Sequence, residues 1–279
     1  MKAEAAPASS AGHEETDRWD HSTRQEFFDY YAKQSLSEEA RQRFTRQRDM
    51  ILALQRRKPG PSGLEIADIG GGAGTLAQIW TAGGCRVSCL DVNEPLIRLA
   101  EQRAREAGFD IEFEVGSATD LPWPAASKDI VLAPELLEHV EDWERCLDEF
   151  ARVLRPGGLL YLSTTNALCP RQQEFNLPAY SWYPGFVKRR YERLAKTTRP
   201  ELANHATYPA LHWFTFYGLR RALLQRGFNE CLDRFEQAAT KDLGFVKNLV
   251  LKALISIAPL QFLGHVCSPG TSIVAYKAD

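Results

Sequence analysis

The sequence predicts an α/β fold in which a doubly wound, mostly parallel seven-stranded sheet carries helical cap insertions. Short apolar runs of strand length alternate with amphipathic runs of helical length from residue 64 to residue 166. Glycine or proline interrupts the chain at several of these junctions. A strand–helix–strand unit returns through a right-handed crossover, so repeated alternation builds a parallel sheet with helices on both faces.

The core is predicted to span residues 19–166 and to begin with helices over 19–57. Five strands are predicted in it, at residues 64–70, 85–92, 111–118, 128–134 and 159–166. The helices that join them are predicted at residues 74–84, 93–109 and 143–158. Residues 214–279 are predicted to complete the core with a helix over 215–228, a strand over 229–236 and a final strand over 272–278.

Composition narrows the class of protein. The 279 residues are 44% hydrophobic and 25% charged, which is typical of a globular enzyme. A net charge of −2 gives no electrostatic basis for a nucleic-acid partner. Six cysteines without a CxxC pair or a zinc spacing are typical of reduced thiols in a cytoplasmic protein. Residues 1–18 lack the apolar run of a secretory signal and are predicted to be a disordered leader.

Two insertions interrupt the alternation of strands and helices. Residues 167–213 contain eight aromatic residues among prolines, so they form either a lid over the substrate or the core of a larger cap. Residues 244–266 are strongly apolar, with Asn248, Lys252 and Ser256 as one polar stripe on a predicted helix. Two lysines and Pro259 argue against a membrane-spanning helix. Three placements stay open: an interfacial helix on a membrane, a helix against the cap, or a homodimer contact.

A glycine loop follows the first predicted strand. In "ADIGGGAGT" the pattern is Asp68, Gly70, Gly72 and Gly74, which excludes a Walker A loop and departs from the dinucleotide fingerprint. Glycines there let a ligand approach the backbone, and the following helix offers free N–H groups. Asp91 ends the second strand, where a carboxylate can accept hydrogen bonds from both ribose hydroxyls. Loop and acid together predict a site for a nucleoside-containing ligand.

With these motifs, residues 45–165 resemble the class I S-adenosylmethionine-dependent methyltransferases, whose sheet is Rossmann-like. The resemblance also rests on "LDVNEPLI", "GSATDLPWPAASKDIVLAPELLEHV" and "FARVLRPGGLLYLSTTN". It implies that Gly70, Gly72 and Gly74 line the methionine end of S-adenosylmethionine and that Asp91 holds the ribose. Asp68 is also predicted to belong to the cofactor-binding residues. It further places Ser117 and Ala118 at the adenine, where many members have an acid in place of Ser117.

The run "ELLEHV" is most similar to the ubiquinone-biosynthesis O-methyltransferases, in which a Glu-x-x-Glu-His run binds magnesium. This implies that Glu135, Glu138 and His139 are ligands of Mg²⁺, which would lower the pKa of a catechol-like hydroxyl. Helical spacing would place all three on one helix face. The alternative is a solvated helix start whose leucines are buried, with His139 acting as the general base.

The same resemblance implies two further contacts with the cofactor. Alignment of "RFTRQRDMIL" by its apolar positions places Arg48, with Arg46 as the alternative, at the cofactor carboxylate. A solvated helix face is the competing interpretation of these arginines. Pro134 occupies another position that contacts the cofactor in this family, and a contact through the proline backbone or ring is sufficient there.

The sequence therefore predicts methyl transfer from S-adenosylmethionine to a small molecule. The acceptor is predicted to be a hydroxyl of an aromatic or lipid-like, quinone-precursor-like metabolite. C-methylation of a prenyl, polyketide or sugar metabolite and a non-catalytic cofactor-binding scaffold are the alternatives. The chain has no Asn-Pro-Pro-Tyr-type run after the fourth strand, which argues against a nucleic-acid N-methyltransferase.

Overall fold

The computed structural model describes residues 28–29, 32–33, 35–55, 63–172, 174–203, 210–240 and 244–279. The predicted disordered leader, residues 1–18, lies outside the described residues.

A seven-stranded sheet forms the centre of the molecule. Its strands are β1 Glu65–Ile69, β2 Arg86–Asp91, β3 Glu112–Val115, β4 Lys128–Pro134, β5 Leu154–Thr165, β6 Phe228–Asp233 and β7 Gly270–Lys277. Their order across the sheet is β3-β2-β1-β4-β5-β7-β6. The first five strands pair in parallel, whereas β7 is antiparallel to both β5 and β6. The predicted Rossmann-like, mostly parallel sheet is confirmed.

Helices cover both faces of this sheet. They are α1 Glu38–Leu54, α2 Thr75–Ala82, α3 Glu94–Ala107, α4 Trp143–Val153, α5 Gly185–Thr197, α6 Phe216–Leu224, α7 Arg234–Ala238, α8 Phe245–Ser256 and α9 Ala258–Val266. Successive residues of a strand point to opposite faces, and β5 shows the alternation clearly. Leu160 and Leu162 pack in the cluster that includes α4 and α6, whereas Leu159 and Tyr161 pack in the cluster that includes α1, α2 and α3. We refer to these as the α4–α6 face and the α1–α3 face.

The aromatic insertion builds a small core of its own. Phe175, Tyr180 and Ala195 are buried together, and the rings of Phe175 and Tyr180 stack at 4.0 Å. Trp213 packs against the same cluster. These aromatic residues therefore stabilise the cap itself, which agrees with the interpretation that they form the core of a larger cap. Phe186 is an exception, because it remains 70% exposed.

The apolar insertion contains two helices rather than the one that the sequence predicts. The axes of α8 and α9 are bent by 104° at a break that contains Ile257. Pro259 lies in the first turn of α9, where its missing N–H is tolerated; inside a continuous helix it would remove a hydrogen bond and clash with the preceding turn. Within the described residues no single helix is long and apolar enough to cross a membrane, although the bent pair together meets that length and composition.

Candidate functional site

The glycine loop joins β1 to α2 at the carboxyl edge of the sheet. Gly70, Gly72 and Gly74 have φ angles of 73°, 50° and 74°, in the left-handed region where a side chain is strained. A Cβ atom on Gly74 would lie 2.7 Å from the Cβ of Ala100, and one on Gly71 would lie 2.4 Å from Sγ of Cys89. The loop therefore packs directly on β2 and α3, which leaves its other side open to a ligand.

Asp91, at the end of β2, is oriented by two backbone amides. Its Oδ2 accepts a hydrogen bond from the Gly72 N–H at 2.8 Å, and its Oδ1 accepts one from the Asn93 N–H at 2.8 Å. The side chain is half-buried, and a carboxylate oxygen can accept more than one hydrogen bond. Asp91 thus has the chemistry to hold a ribose, next to the backbone of the glycine loop.

Asp68 lies beneath the glycine loop and has no solvent-exposed surface. Neither carboxyl oxygen has a hydrogen-bond partner of normal geometry among the described residues, and a Cβ on Gly71 would lie 2.9 Å from Oδ2. Burial, followed by the charge of Asp91, raises the pKa of Asp68 to about 7, and a hydrogen bond from the Ala77 backbone opposes the shift. The contact between Asp68 and cofactor stays a prediction.

Three other predicted contact residues lie at the same edge of the sheet. The Gly116 N–H donates to the Asp91 carbonyl at 3.1 Å, which fixes the segment that follows β3 beside Asp91. Ser117, next in that segment, shares a 2.8 Å hydrogen bond with the Thr119 hydroxyl, and Ala118 is buried on the α4–α6 face. Pro134 is half-buried at the end of β4. Their contacts with adenine or methionine stay predictions.

Arg48 lies at the wrong end of α2 for the role that the sequence predicts. Its Nη1 donates to the Ile79 carbonyl at 3.2 Å, and its Nε and Nη2 bind the Asp49 carboxylate. Ile79 belongs to the last turn of α2, whereas the glycine loop borders the first turn, about 6 Å away along the helix. The alternative, Arg46, donates its Nε to the Gln42 carbonyl within α1. The spacing of apolar residues did not determine how α1 is rotated about its own axis, which explains why the predicted position of Arg48 is wrong.

The segment that follows β4 is a loop of turns and not the predicted helix. Glu135 has a φ of 52°, which is incompatible with a right-handed helix. Leu136 turns toward the glycine loop, so that a Cβ on Gly70 would lie 2.9 Å from its Cδ1. The prediction that Glu135, Glu138 and His139 share one helix face is therefore wrong. The i, i+3, i+4 spacing is equally compatible with turns whose shape is set by tertiary contacts.

The two glutamates of this loop bind neighbouring residues of β5. The Ser163 hydroxyl donates to Glu135 Oε1 at 2.5 Å, and the Thr164 hydroxyl donates to Glu138 Oε2 at 2.7 Å. Adjacent strand residues point to opposite faces, so the carboxyl groups are held on different sides of the sheet edge. No group of three or more His, Cys, Asp or Glu side chains is arranged to hold a metal ion in the part of the chain that the structure describes. Glu135, Glu138 and His139 do not fit as one Mg²⁺ ligand set here.

Glu138 is instead a buried carboxyl group, with 1% of its surface exposed. Burial, followed by the charge of Glu135, raises its pKa well above the usual range, and the Thr164 hydrogen bond only partly opposes this shift.

The cap is fastened to this loop by residues that no sequence pattern indicates. The Glu138 carbonyl accepts hydrogen bonds from the Leu211 and His212 amides at 2.8 and 3.3 Å. The Thr165 hydroxyl donates to the His212 carbonyl at 2.9 Å. His139 lies half-buried in the same loop, directly after Glu138. The loop that carries the predicted base is thus joined to the cap.

The family described as a methyltransferase domain matches residues 67–162. Over these residues the chain is similar to that family. In the same region the chain is 36% identical over 107 residues to a ubiquinone biosynthesis O-methyltransferase of Xanthomonas axonopodis, covering 38% of this chain and 45% of that protein. It is 37% identical over 116 residues to the protein of that name from Methylocella silvestris, covering 41% and 45%. The chain thus spans less than half the length of these curated relatives.

Solved structures share the fold over most of the chain. A protein from Pyrococcus horikoshii superimposes with a TM-score of 0.56 at 16% identity, covering 89% of this chain and 98% of that one. An S-adenosylmethionine-dependent methyltransferase from Methanosarcina mazei gives a TM-score of 0.51 at 24% identity, covering 82% and 97%. At these identities the likeness concerns the fold.

Proposed function

We propose that the protein transfers a methyl group from S-adenosylmethionine to a hydroxyl of a small aromatic or lipid-like acceptor that resembles a quinone precursor. The arrangement of Gly72 and Asp91 at the end of β1 and β2, inside a matched methyltransferase domain, is the observation that carries the proposal. The acceptor class rests on the names of the relatives. The cap over residues 167–213 and the loop around His139 are where we propose that the acceptor binds.

When bound, S-adenosylmethionine supplies an electrophilic methyl group on its sulfonium. The chain's own residues hold donor and acceptor in line, which lowers the entropic cost of the transfer. We propose that Asp91 binds the ribose hydroxyls while the Gly70–Gly74 loop takes the methionine end. We propose that His139 accepts the proton of the acceptor hydroxyl through a ring nitrogen.

Proton removal by His139 requires no metal. The hydrogen bonds that tie Glu135 and Glu138 to separate residues of β5 support this metal-free mechanism over the Mg²⁺ mechanism. Methyl transfer to a panel of catechols and polyprenyl phenols, with and without EDTA, separates the two. We expect turnover to be indifferent to EDTA and to fall about 10²–10⁴-fold in His139→Gln, with cofactor affinity retained. Activity that EDTA abolishes and Mg²⁺ restores would overturn the metal-free version.

Cofactor binding is tested separately by calorimetry. Asp91→Ala removes the acceptor for the ribose and for the Gly72 amide, so we expect affinity for S-adenosylmethionine to fall at least about 10-fold. Glu106→Gln, an exposed acid on α3, is the matched control and should bind like the wild type.

The product distinguishes the remaining alternatives. A methylated product that retains every hydroxyl would indicate C-methylation. Tight binding of S-adenosylmethionine without turnover across the panel would favour a non-catalytic scaffold.

A further inference from the structure

An apolar surface covers the outer side of α8 and α9. Of the 14 large hydrophobic side chains that are exposed in the described residues, eight lie between residues 245 and 263. Phe245, Val246 and Leu249 are 84%, 70% and 59% exposed on α8, and Leu263 is 55% exposed on α9. Soluble proteins rarely expose so many apolar side chains together, and such surfaces mark a partner or a membrane. We refer to it as the α8–α9 surface.

The inner side of the same helices is fixed firmly to the core. His265 is buried, and its Nε2 lies 3.1 Å from Oδ2 of buried Asp233, which also accepts a hydrogen bond from Gln261 Nε2 at 2.8 Å. A Cβ on Gly264 would lie 2.6 Å from the Phe235 ring, so α9 packs closely on α7. The exposed residues are therefore presented by a well-seated scaffold.

A basic hollow adjoins this surface. It has a volume of about 470 Å³ and is lined by Tyr217, Arg220, Arg221, Leu224 and Gln225 of α6 and its end. The Tyr217 ring stacks against the Phe262 ring of α9, with centroids 6.4 Å apart, which makes the hollow continuous with the α8–α9 surface.

Basic residues border the surface. The chain has no Asp or Glu from residue 244 to 278 or from 210 to 229, whereas Lys247 and Lys252 are exposed on α8. Burial raises the pKa of Glu236, an acid on α7 that also feels the charge of Arg220, and its carboxylate already accepts the Asp233 amide at 2.8 Å. An apolar surface bordered by arginine and lysine matches an anionic interface.

We propose that the α8–α9 surface inserts into the headgroup region of an anionic lipid bilayer, with Arg220 and Arg221 binding lipid phosphates. Amphipathic helices with basic borders bind such interfaces through buried apolar area and charge attraction. A second copy fits less well, because a two-fold contact through this surface would place like charges against one another.

The position of the surface relates it to the methyl-transfer site. The Asn166 side chain, directly after the carboxyl end of β5, donates Nδ2 hydrogen bonds to the His265 and Ser268 carbonyls, both at 2.8 Å. The carboxyl end of β5 is also the edge that carries the glycine loop and the His139 loop. Docking would therefore hold the mouth of the cleft next to the membrane, where a lipid-tailed acceptor resides. This consequence rests on the proposed function, whereas docking itself does not.

Vesicle flotation of the full chain tests the proposal. We expect binding to vesicles of roughly 30% phosphatidylglycerol in phosphatidylcholine, weak binding to pure phosphatidylcholine, and a decline with rising salt. The double variant Leu249→Glu/Leu263→Glu should lose binding. The pair Arg220→Ser/Arg221→Ser should lower it about tenfold or more. Val115→Glu, 52% exposed on β3 at the opposite edge of the sheet, is the matched control and should bind normally.

Circular dichroism confirms that each variant is folded before its result is used. Two results would overturn the proposal. In the first, the wild type does not float with anionic vesicles; in the second, the charged variants float as well as the Val115→Glu control. So would a lipid-free dimer, seen by sedimentation, that the leucine variants dissociate. Flotation without methyl transfer would leave the membrane proposal standing while contradicting the proposed function.

Discussion

Substitution of Gly74 by alanine tests the tight packing of the glycine loop on α3. At a φ of 74°, an L side chain costs about 1–2 kcal/mol. The new Cβ would also lie 2.7 Å from the Cβ of Ala100, an atom fixed to the α3 backbone, which adds about 1–3 kcal/mol of overpacking. We therefore expect the free energy of unfolding to fall by about 2–5 kcal/mol, measured by urea denaturation.

A matched control separates the two contributions. Gly108, at the end of α3, has a φ of 70°, and a Cβ added there would meet nothing within 4 Å, so Gly108→Ala should cost only the conformational part. Ala100→Gly should partly rescue Gly74→Ala, because it removes the contacting atom, giving a coupling energy of about 1–3 kcal/mol. Equal losses at Gly74 and Gly108, together with no coupling to Ala100, would refute the reasoning.

Three residues of the site offer further tests. The folded-state pKa of Asp68, about 7, exceeds its ordinary value of 3.8, so its contribution to stability is present below about pH 4 and declines as pH rises to 7. Asp68→Asn should remove this decline, which is worth about 4 kcal/mol at most. Urea denaturation at about pH 5 and about pH 7.5 tests this. A variant whose unfolding midpoint differs between these two pH values as much as that of the wild type would contradict the prediction. Glu138→Ala should destabilise the fold by about 1–3 kcal/mol, because it leaves the Thr164 hydroxyl without its acceptor. Glu138→Gln keeps a side-chain oxygen that can accept this hydrogen bond, so it should cost less than about 1 kcal/mol by the same assay. Arg48→Ala should change affinity for S-adenosylmethionine by less than about twofold in calorimetry, since its guanidinium binds the far end of α2; a tenfold loss would restore the sequence-based assignment.

The sequence predicted the sheet and the glycine loop because their determinants are local. Strand β4 was predicted at residues 128–134 and lies at Lys128–Pro134, since a continuous apolar run between turns has few other solutions. Gly72 and Asp91 lie at the ends of adjacent parallel strands, so their proximity follows from the topology alone.

Long-range contacts decided the features that the sequence did not predict. Glu135 and Glu138 take their positions from Ser163 and Thr164, more than twenty residues along the chain, and no periodicity encodes those hydrogen bonds. The burial of Asp68 likewise depends on the loop folding over it. Apolar spacing also gave no indication of the bend at Ile257.

The antiparallel strand β7 has a consequence for synthesis on the ribosome. It pairs with β5 on one side and β6 on the other, yet it follows both, and α8 and α9 as well, in the sequence. Until β7 emerges, the nascent chain keeps an open edge on β5 and has already exposed the apolar residues of α8 and α9. Such edges and surfaces are the usual substrates of chaperones. Completion of the sheet is thus delayed until after translation of β7, and the apolar surface of the preceding helices is exposed throughout that interval.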